Sequence, residues 1–130
     1  MHPEDAMTPD YLPNRSWAEV DLDAIARNVA LIRRRVRRGA EICAVVKADS
    51  YGHGVERVVP VLLKNGATRL SVSMLDEGIQ LRDRGIDVPI LILGYTDPRR
   101  AAEIIAHRLT QTVYSLDLAQ ALSRAAVDLG

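Results

Sequence analysis

The sequence predicts an α/β fold with parallel strands, and three observations carry that prediction. Short runs rich in β-branched and aliphatic residues occur four times, as EICAVVK (41–47), RLSVS (69–73), PILILG (89–94) and LTQTVY (109–114). Stretches with a helical apolar face lie between them, so each pair of strands is joined by a crossover long enough for parallel pairing. Helix-closing residues stand at Gly39, Asn65-Gly66 and Gly85, just where one element must give way to the next. Two architectures satisfy this pattern, an open doubly wound sheet and the first half of a (β/α)8 barrel.

Each element has its own local reason. Leu22, Ile25, Val29, Ile32 and Val36 recur three and four apart and predict a helix over 21–38, capped by Asp21 or Asp23. EICAVVK is short, β-branched and apolar up to its last residue, which reads as a buried strand ending on Lys47. Val55 to Leu63 offers a second helical face, in which Pro60 breaks one backbone hydrogen bond unless it lies in the first turn. RLSVS is the second strand. Leu75 to Arg84 is the next helix, and Asp76 and Glu77 suit the positive end of its dipole. After the third strand PILILG, Asp97-Pro98 provides a cap and a first-position proline for a helix to about His107. LTQTVY is the fourth strand, and Ser115 caps a last helix bearing Leu118, Leu122, Ala125 and Leu129.

Composition narrows the function. Seventeen basic and seventeen acidic side chains cancel, so no overall field favours nucleic acid or an anionic membrane. No run approaches the roughly 18 apolar residues of a membrane helix. The single cysteine, Cys43, excludes an internal disulfide and fits a reduced, cytoplasmic setting. Three histidines and one cysteine offer no metal-ligand cluster. Residues 1–13 are polar and acidic, lack the apolar core of a secretory signal, and read as a flexible tail ahead of one domain over 14–130.

The chemistry concentrates at the end of the first strand. Period-two geometry puts Cys43, Val45 and Lys47 on one face, with Lys47 at the carboxyl end, where α/β folds build their sites. Partial desolvation there favours a neutral amine, which is what Schiff-base chemistry requires. For a lone strand-end lysine, a snorkelling role is the commoner reading. The following ADSYGHG shifts the balance. Gly52 and Gly54 permit a tight turn that brings Tyr51 beside Lys47, where its hydroxyl can bind a phosphate.

AVVKADSYGHG resembles the pyridoxal-phosphate (PLP) lysine signature of alanine racemases, in which Ala-Asn-Ala-Tyr-Gly-His-Gly usually follows the lysine. SWAEVDLDAIARNV upstream and NGATRLSVSMLDEGIQLRDRGIDVPILILGYT downstream are also similar to that family in order and spacing. Basic amino-acid decarboxylases share a lysine-bearing barrel strand but lack the Tyr-Gly-His-Gly continuation. The sequence departs at Asp49 and Ser50, where Asn and Ala are commoner, and at Pro60.

The resemblance implies a partial (β/α)8 TIM barrel, about its first four β/α units, that precedes the rest of the barrel and a C-terminal β domain. It implies PLP as cofactor, Lys47 as its Schiff-base partner and a catalytic acid/base, Tyr51 on the phosphate, and Leu93 lining the cofactor pocket. It further implies an isomerase that interconverts L- and D-alanine in a homodimer, with a partner-subunit tyrosine as second base and an arginine against the pyridine nitrogen, both outside residues 1–130. Alternatives are a serine, lysine or broad-specificity racemase, or a PLP-binding piece without catalysis. His53 reads as an orienting residue, Cys43 as small apolar packing, RRRVRR (33–38) as a solvated helix end, and Asp76 and Glu77 as helix-start residues without a catalytic part.

Overall fold

The computed structural model describes residues 16–130; the tail expected over residues 1–13 lies outside that range. In chain order the elements are α1 (Leu22–Arg35), β1 (Cys43–Val45), α2 (Lys47–Gly52), α3 (Val55–Lys64), β2 (Arg69–Val72), α4 (Leu75–Asp83), β3 (Ile90–Ile92), a 3-10 turn (Pro98–Arg100), α5 (Ala101–Ala106), β4 (Thr110–Gln111) and α6 (Leu116–Leu129). The strands form one parallel sheet in the order β1-β2-β3-β4. That order resolves the choice left open by the pattern. A doubly wound sheet reverses direction at a switch point, whereas consecutive order with one crossover hand keeps every helix on a single side, as in a barrel.

Burial shows the one-sidedness directly. Leu70, Val72, Ile90 and Ile92 point toward the helices and are at most 1% exposed, packed with Val58, Val59, Leu62, Leu81 and Ile104. Each such side chain contributes about 1.5–3 kcal/mol when fully buried. On the other face the register row Val45, Ser71, Leu91, Thr110 runs across the sheet; Val45 there is 43% exposed, while the small Ser71 between its neighbours is 2% exposed. The expectation of a strand buried on both faces is therefore corrected: among the described residues β1 is covered on its helix side only, and Cys43 and Val45 on the other face are exposed.

Local details follow the chain's chemistry. Asp21 caps α1 by accepting from the Ala24 amide at 2.9 Å, and Ser115 caps α6 through the Leu118 amide. The first helix ends at Arg35, earlier than Arg38, and Ile32 is exposed instead of facing the core. Leu129 is likewise exposed at the end of α6. The helix expected after Asp97-Pro98 opens as a 3-10 turn before α5. Pro60 sits inside α3 and not in its first turn; it is exposed, and having no N–H it leaves the Glu56 carbonyl without its helical donor. Arg82 gathers the loops at the amino ends of β3 and β4, donating to the carbonyls of Ile86, Val88, His107 and Arg108.

Candidate active site

β1 stops at Val45, two residues short of the strand expected to end on Lys47. Lys47 instead opens α2, and the next four residues, Ala48, Asp49, Ser50 and Tyr51, all have φ between 50° and 56°. This is one turn of left-handed helix built from residues with side chains, closed by Gly52 at φ 80°. Left-handed geometry costs an L-residue about 1–2 kcal/mol, and such strain persists only where the surroundings over-determine it.

The surroundings do so from several directions. Val46 donates to the Ser71 carbonyl at 2.8 Å, which fixes the chain just before the turn to β2. Ser50 donates back to the Val46 carbonyl at 3.0 Å. Asp49 accepts from the Val55 amide at 2.7 Å and ties the turn to the start of α3. Nδ1 of His53 faces the carbonyls of Ser50 and Tyr51 at 2.9 and 3.2 Å; carbonyls only accept, so this nitrogen carries the proton. His53 thus latches the turn, in keeping with an orienting role. Ala48 donates to Glu77 Oε1 at 2.6 Å.

Lys47 is half-buried, and its Nζ lies 6.0 Å from the centroid of the Tyr51 ring, within reach of a cation–π contact. Tyr51 is 59% exposed. Leu93 stands at the carboxyl end of β3, 38% exposed, with its amide bonded to the Val72 carbonyl at 2.8 Å and its carbonyl accepting from the Tyr114 hydroxyl. Thr96 donates to Gln111 at 2.7 Å, and Gln111 donates to the Gly94 carbonyl at 2.8 Å, so the ends of β3 and β4 are locked together. Gly94 is required beside Leu93, since a Cβ there would lie 2.3 Å from the Ser73 carbonyl oxygen. The sheet therefore brings Lys47 and Tyr51 together and places Leu93 on the edge formed by the carboxyl ends of the same sheet.

Two residues carry more than their sequence positions suggested, and one less. Glu77, expected only to favour the α4 dipole, also accepts from the Ser73 and Met74 amides at 2.7 and 3.0 Å. Ser50 is 5% exposed, and its hydroxyl has no hydrogen-bond partner among the described residues. Cys43, expected to pack, is exposed on the open face. Asp76 does pair, with Arg100 at 2.7 Å, and that side-chain hydrogen bond holds its carboxyl below the ordinary range. A cavity of about 430 Å³ lies behind the turn between α3 and α4, lined by Val46, Asp49, Glu77 and Arg84 among others and not by Lys47. Among the described residues no three His, Cys, Asp or Glu side chains gather as metal ligands do.

Comparison with known proteins agrees with this arrangement. The alanine racemase from Desulfosudis oleivorans is 50% identical over 115 residues, covering 88% of this chain and 30% of that protein. The structure of the Clostridium difficile 630 alanine racemase in complex with cycloserine superposes with a TM-score of 0.79 at 38% identity, covering 92% of this chain and 32% of that one. A histidine racemase from Leuconostoc mesenteroides matches with a TM-score of 0.76 at 32% identity, over 84% of this chain and 29% of its own. The chain thus spans about 30% of the length of the curated relatives it matches. The family model for the alanine racemase N-terminal domain matches residues 20–130, which includes the sheet, the lysine-bearing turn and all four strand ends, and the chain belongs to that family.

Proposed function

We propose that this chain is the cofactor-anchoring part of a PLP-dependent amino-acid racemase acting on alanine, with Lys47 holding the cofactor and moving one proton. The observation that carries the reading is the Lys47 amine, held at the carboxyl end of β1 by a strained turn, with the Tyr51 ring 6.0 Å away. The side chains present suit the group: a primary amine for its aldehyde, a phenol for its phosphate and the apolar flank of Leu93 for its ring. When bound, the cofactor supplies an electron sink that acidifies the substrate Cα–H. Lys47 Nζ, freed once the substrate amine takes its place, would remove the proton from one face of the substrate in one direction of the reaction and deliver a proton to that face in the other. The Tyr51 hydroxyl donates to the phosphate and Leu93 covers one flank, so the reacting carbon is held against the amine.

Inversion needs a second acid/base group on the opposite face, which we assign to a second copy in a homodimer. Residues 1–130 alone then bind the cofactor without racemising. A reduced cytoplasmic setting suits the exposed, unpaired Cys43; among the described residues no helix is long and apolar enough to cross a membrane. The names of the relatives favour alanine, and the Leuconostoc neighbour, a histidine racemase, favours a second reading in which the substrate is another amino acid.

Chiral assays with alanine, serine, lysine and histidine test the proposal. The protein carrying this sequence should racemise alanine fastest, and Lys47→Ala should lower the rate by about a thousandfold or more, the range of a lost general acid/base. An unchanged rate in Lys47→Ala would overturn the role of Lys47. Faster turnover of another amino acid would replace the substrate. Racemisation by residues 1–130 alone, at a rate comparable to the Clostridium difficile enzyme, would overturn the need for a second copy's base.

A further inference from the structure

We infer that Glu77 is a positioning residue for Lys47, acting through the peptide that joins Lys47 to Ala48. A glutamate at the third position of a helix ordinarily reaches back to one amide, that of the cap residue. Glu77 does this with a single oxygen and more: Oε2 accepts from both Ser73 and Met74, at 2.7 and 3.0 Å. The other oxygen is left free for a different task. Oε1 accepts from the Ala48 amide at 2.6 Å, across 29 residues of sequence and from a different β/α unit. The carboxylate therefore clamps the carboxyl ends of β1 and β2 together at the two junctions nearest the amine.

What it clamps matters. The Ala48 amide belongs to the peptide immediately after Lys47, and Ala48 is the first of the four consecutive left-handed residues. Val46 is already fixed to Ser71 at 2.8 Å, so the Glu77 bond completes the hold on Lys47 from its other side. With the backbone restrained before and after it, the lysine stem starts from a fixed point and direction. A charge-assisted bond from a half-buried carboxylate suits this task better than a neutral acceptor. Glu77 also lines the cavity behind the turn, so no other side chain need move for it to be exchanged.

Glu77→Gln keeps the size and one acceptor oxygen; with that oxygen kept on the two amides of Ser73 and Met74, its NH2 group faces the Ala48 N–H and the tie to Ala48 is lost. Within residues 1–130 the only lysines are Lys47 and Lys64, and exposed Lys64 in α3 gives an internal reference. The role of Glu77, which rests on Lys47 being the cofactor anchor, is read in two ways. Capture of added PLP by Lys47, measured against Lys64 by reduction and mass spectrometry, should slow by about tenfold or more in Glu77→Gln, as expected for a misplaced reacting group. Hydrogen exchange of the Ala48 amide should accelerate by about tenfold, the factor for one charge-assisted bond.

A lowered melting temperature with Lys47 capture and Ala48 exchange both unchanged would mean that Glu77 only caps α4, and would overturn the inference. Should Glu77→Gln fail to fold, the wild type decides: an Ala48 amide exchanging at the free-peptide rate overturns the inference and a slowed one supports it. A wild type that takes no PLP onto Lys47 overturns the cofactor-anchor reading, while Ala48 exchange in the same protein still decides whether Glu77 holds the turn.

Discussion

Two strand-to-helix junctions on the same edge of the sheet solve the same problem in opposite ways. After β3 the chain leaves through Gly94 and enters the next helix by an ordinary cap: Asp97 accepts from the Arg99 amide at 2.9 Å, Pro98 takes the first position, and no side-chain-bearing residue there adopts a positive φ. After β1 the chain runs through four left-handed residues in a row, and one buried hydroxyl is left without a partner. The β3 junction is capped by local hydrogen bonds and joined to the neighbouring strands through Ser73 and Gln111, and its backbone needs no strained residue. The β1 junction depends on groups brought from elsewhere, Glu77 on α4 and the start of α3, and it is the one that carries the lysine. Strain accumulates where a side chain must be aimed and is absent where the chain only has to turn.

The contrast can be broken first at Gly94. The added methyl of Gly94→Ala would meet a backbone oxygen at 2.3 Å, which cannot rotate away, so the variant should lose about 3 kcal/mol, at the upper end for overpacking. Chemical denaturation measures it; a loss under 1 kcal/mol would mean that the ends of β2 and β3 are not closely apposed. Next, Asp49→Ala removes the acceptor for the Val55 amide and should cost about 1–2 kcal/mol, the range for a lost helix cap. Asp49→Asn keeps an acceptor there and should stay within about 0.5 kcal/mol of wild type, a pair of denaturation curves that separates the hydrogen bond from the charge. Ser50→Ala runs the other way: removing a buried hydroxyl with no partner should stabilise the protein by about 1 kcal/mol.

The smallest effect belongs to the ordinary junction. The Arg99 side chain beside Asp97 holds its carboxyl down at about 2, below the 3.8 of a free aspartate. A depressed folded-state value means that the stabilising contribution is present above 3.8 and is lost as pH falls toward 2. Both side chains meet solvent, so added salt should weaken the contribution. Asp97→Asn should flatten the acid limb of the stability curve slightly in that window, without changing cofactor capture. A change in capture would show that the two junctions are coupled.

The same division explains what was legible in the sequence. Asp21, Asp97-Pro98 and Ser115 cap their helices because a cap is written in three or four adjacent residues. The four strands were legible from their apolar runs, though each is shorter than its run, because pairing ends where a neighbouring strand ends. The one-sided sheet was not legible in β1 by itself, since its apolar alternation looks alike whether or not a second layer covers Cys43 and Val45; it followed only from the first half of a barrel that the resemblance implies. The left-handed turn was hidden for a stronger reason. Ala48, Ser50 and Tyr51 have no intrinsic leaning toward that geometry and Asp49 only a slight one, and the acceptor that helps impose it, Glu77, comes from 29 residues away. At Glu77 the local signal was a helix start, true as far as it went, and the second oxygen's partner was invisible.

The account stands on one amine being set apart from the other. Incubation with PLP, borohydride reduction and peptide mapping tests this most directly, because it reads Lys47 against Lys64, the other lysine within residues 1–130. The account predicts the reduced adduct on the Lys47 peptide at stoichiometric PLP, with Lys64 unlabelled and the Lys47→Ala variant blank. Equal labelling of both lysines, or an adduct confined to Lys64, would contradict it.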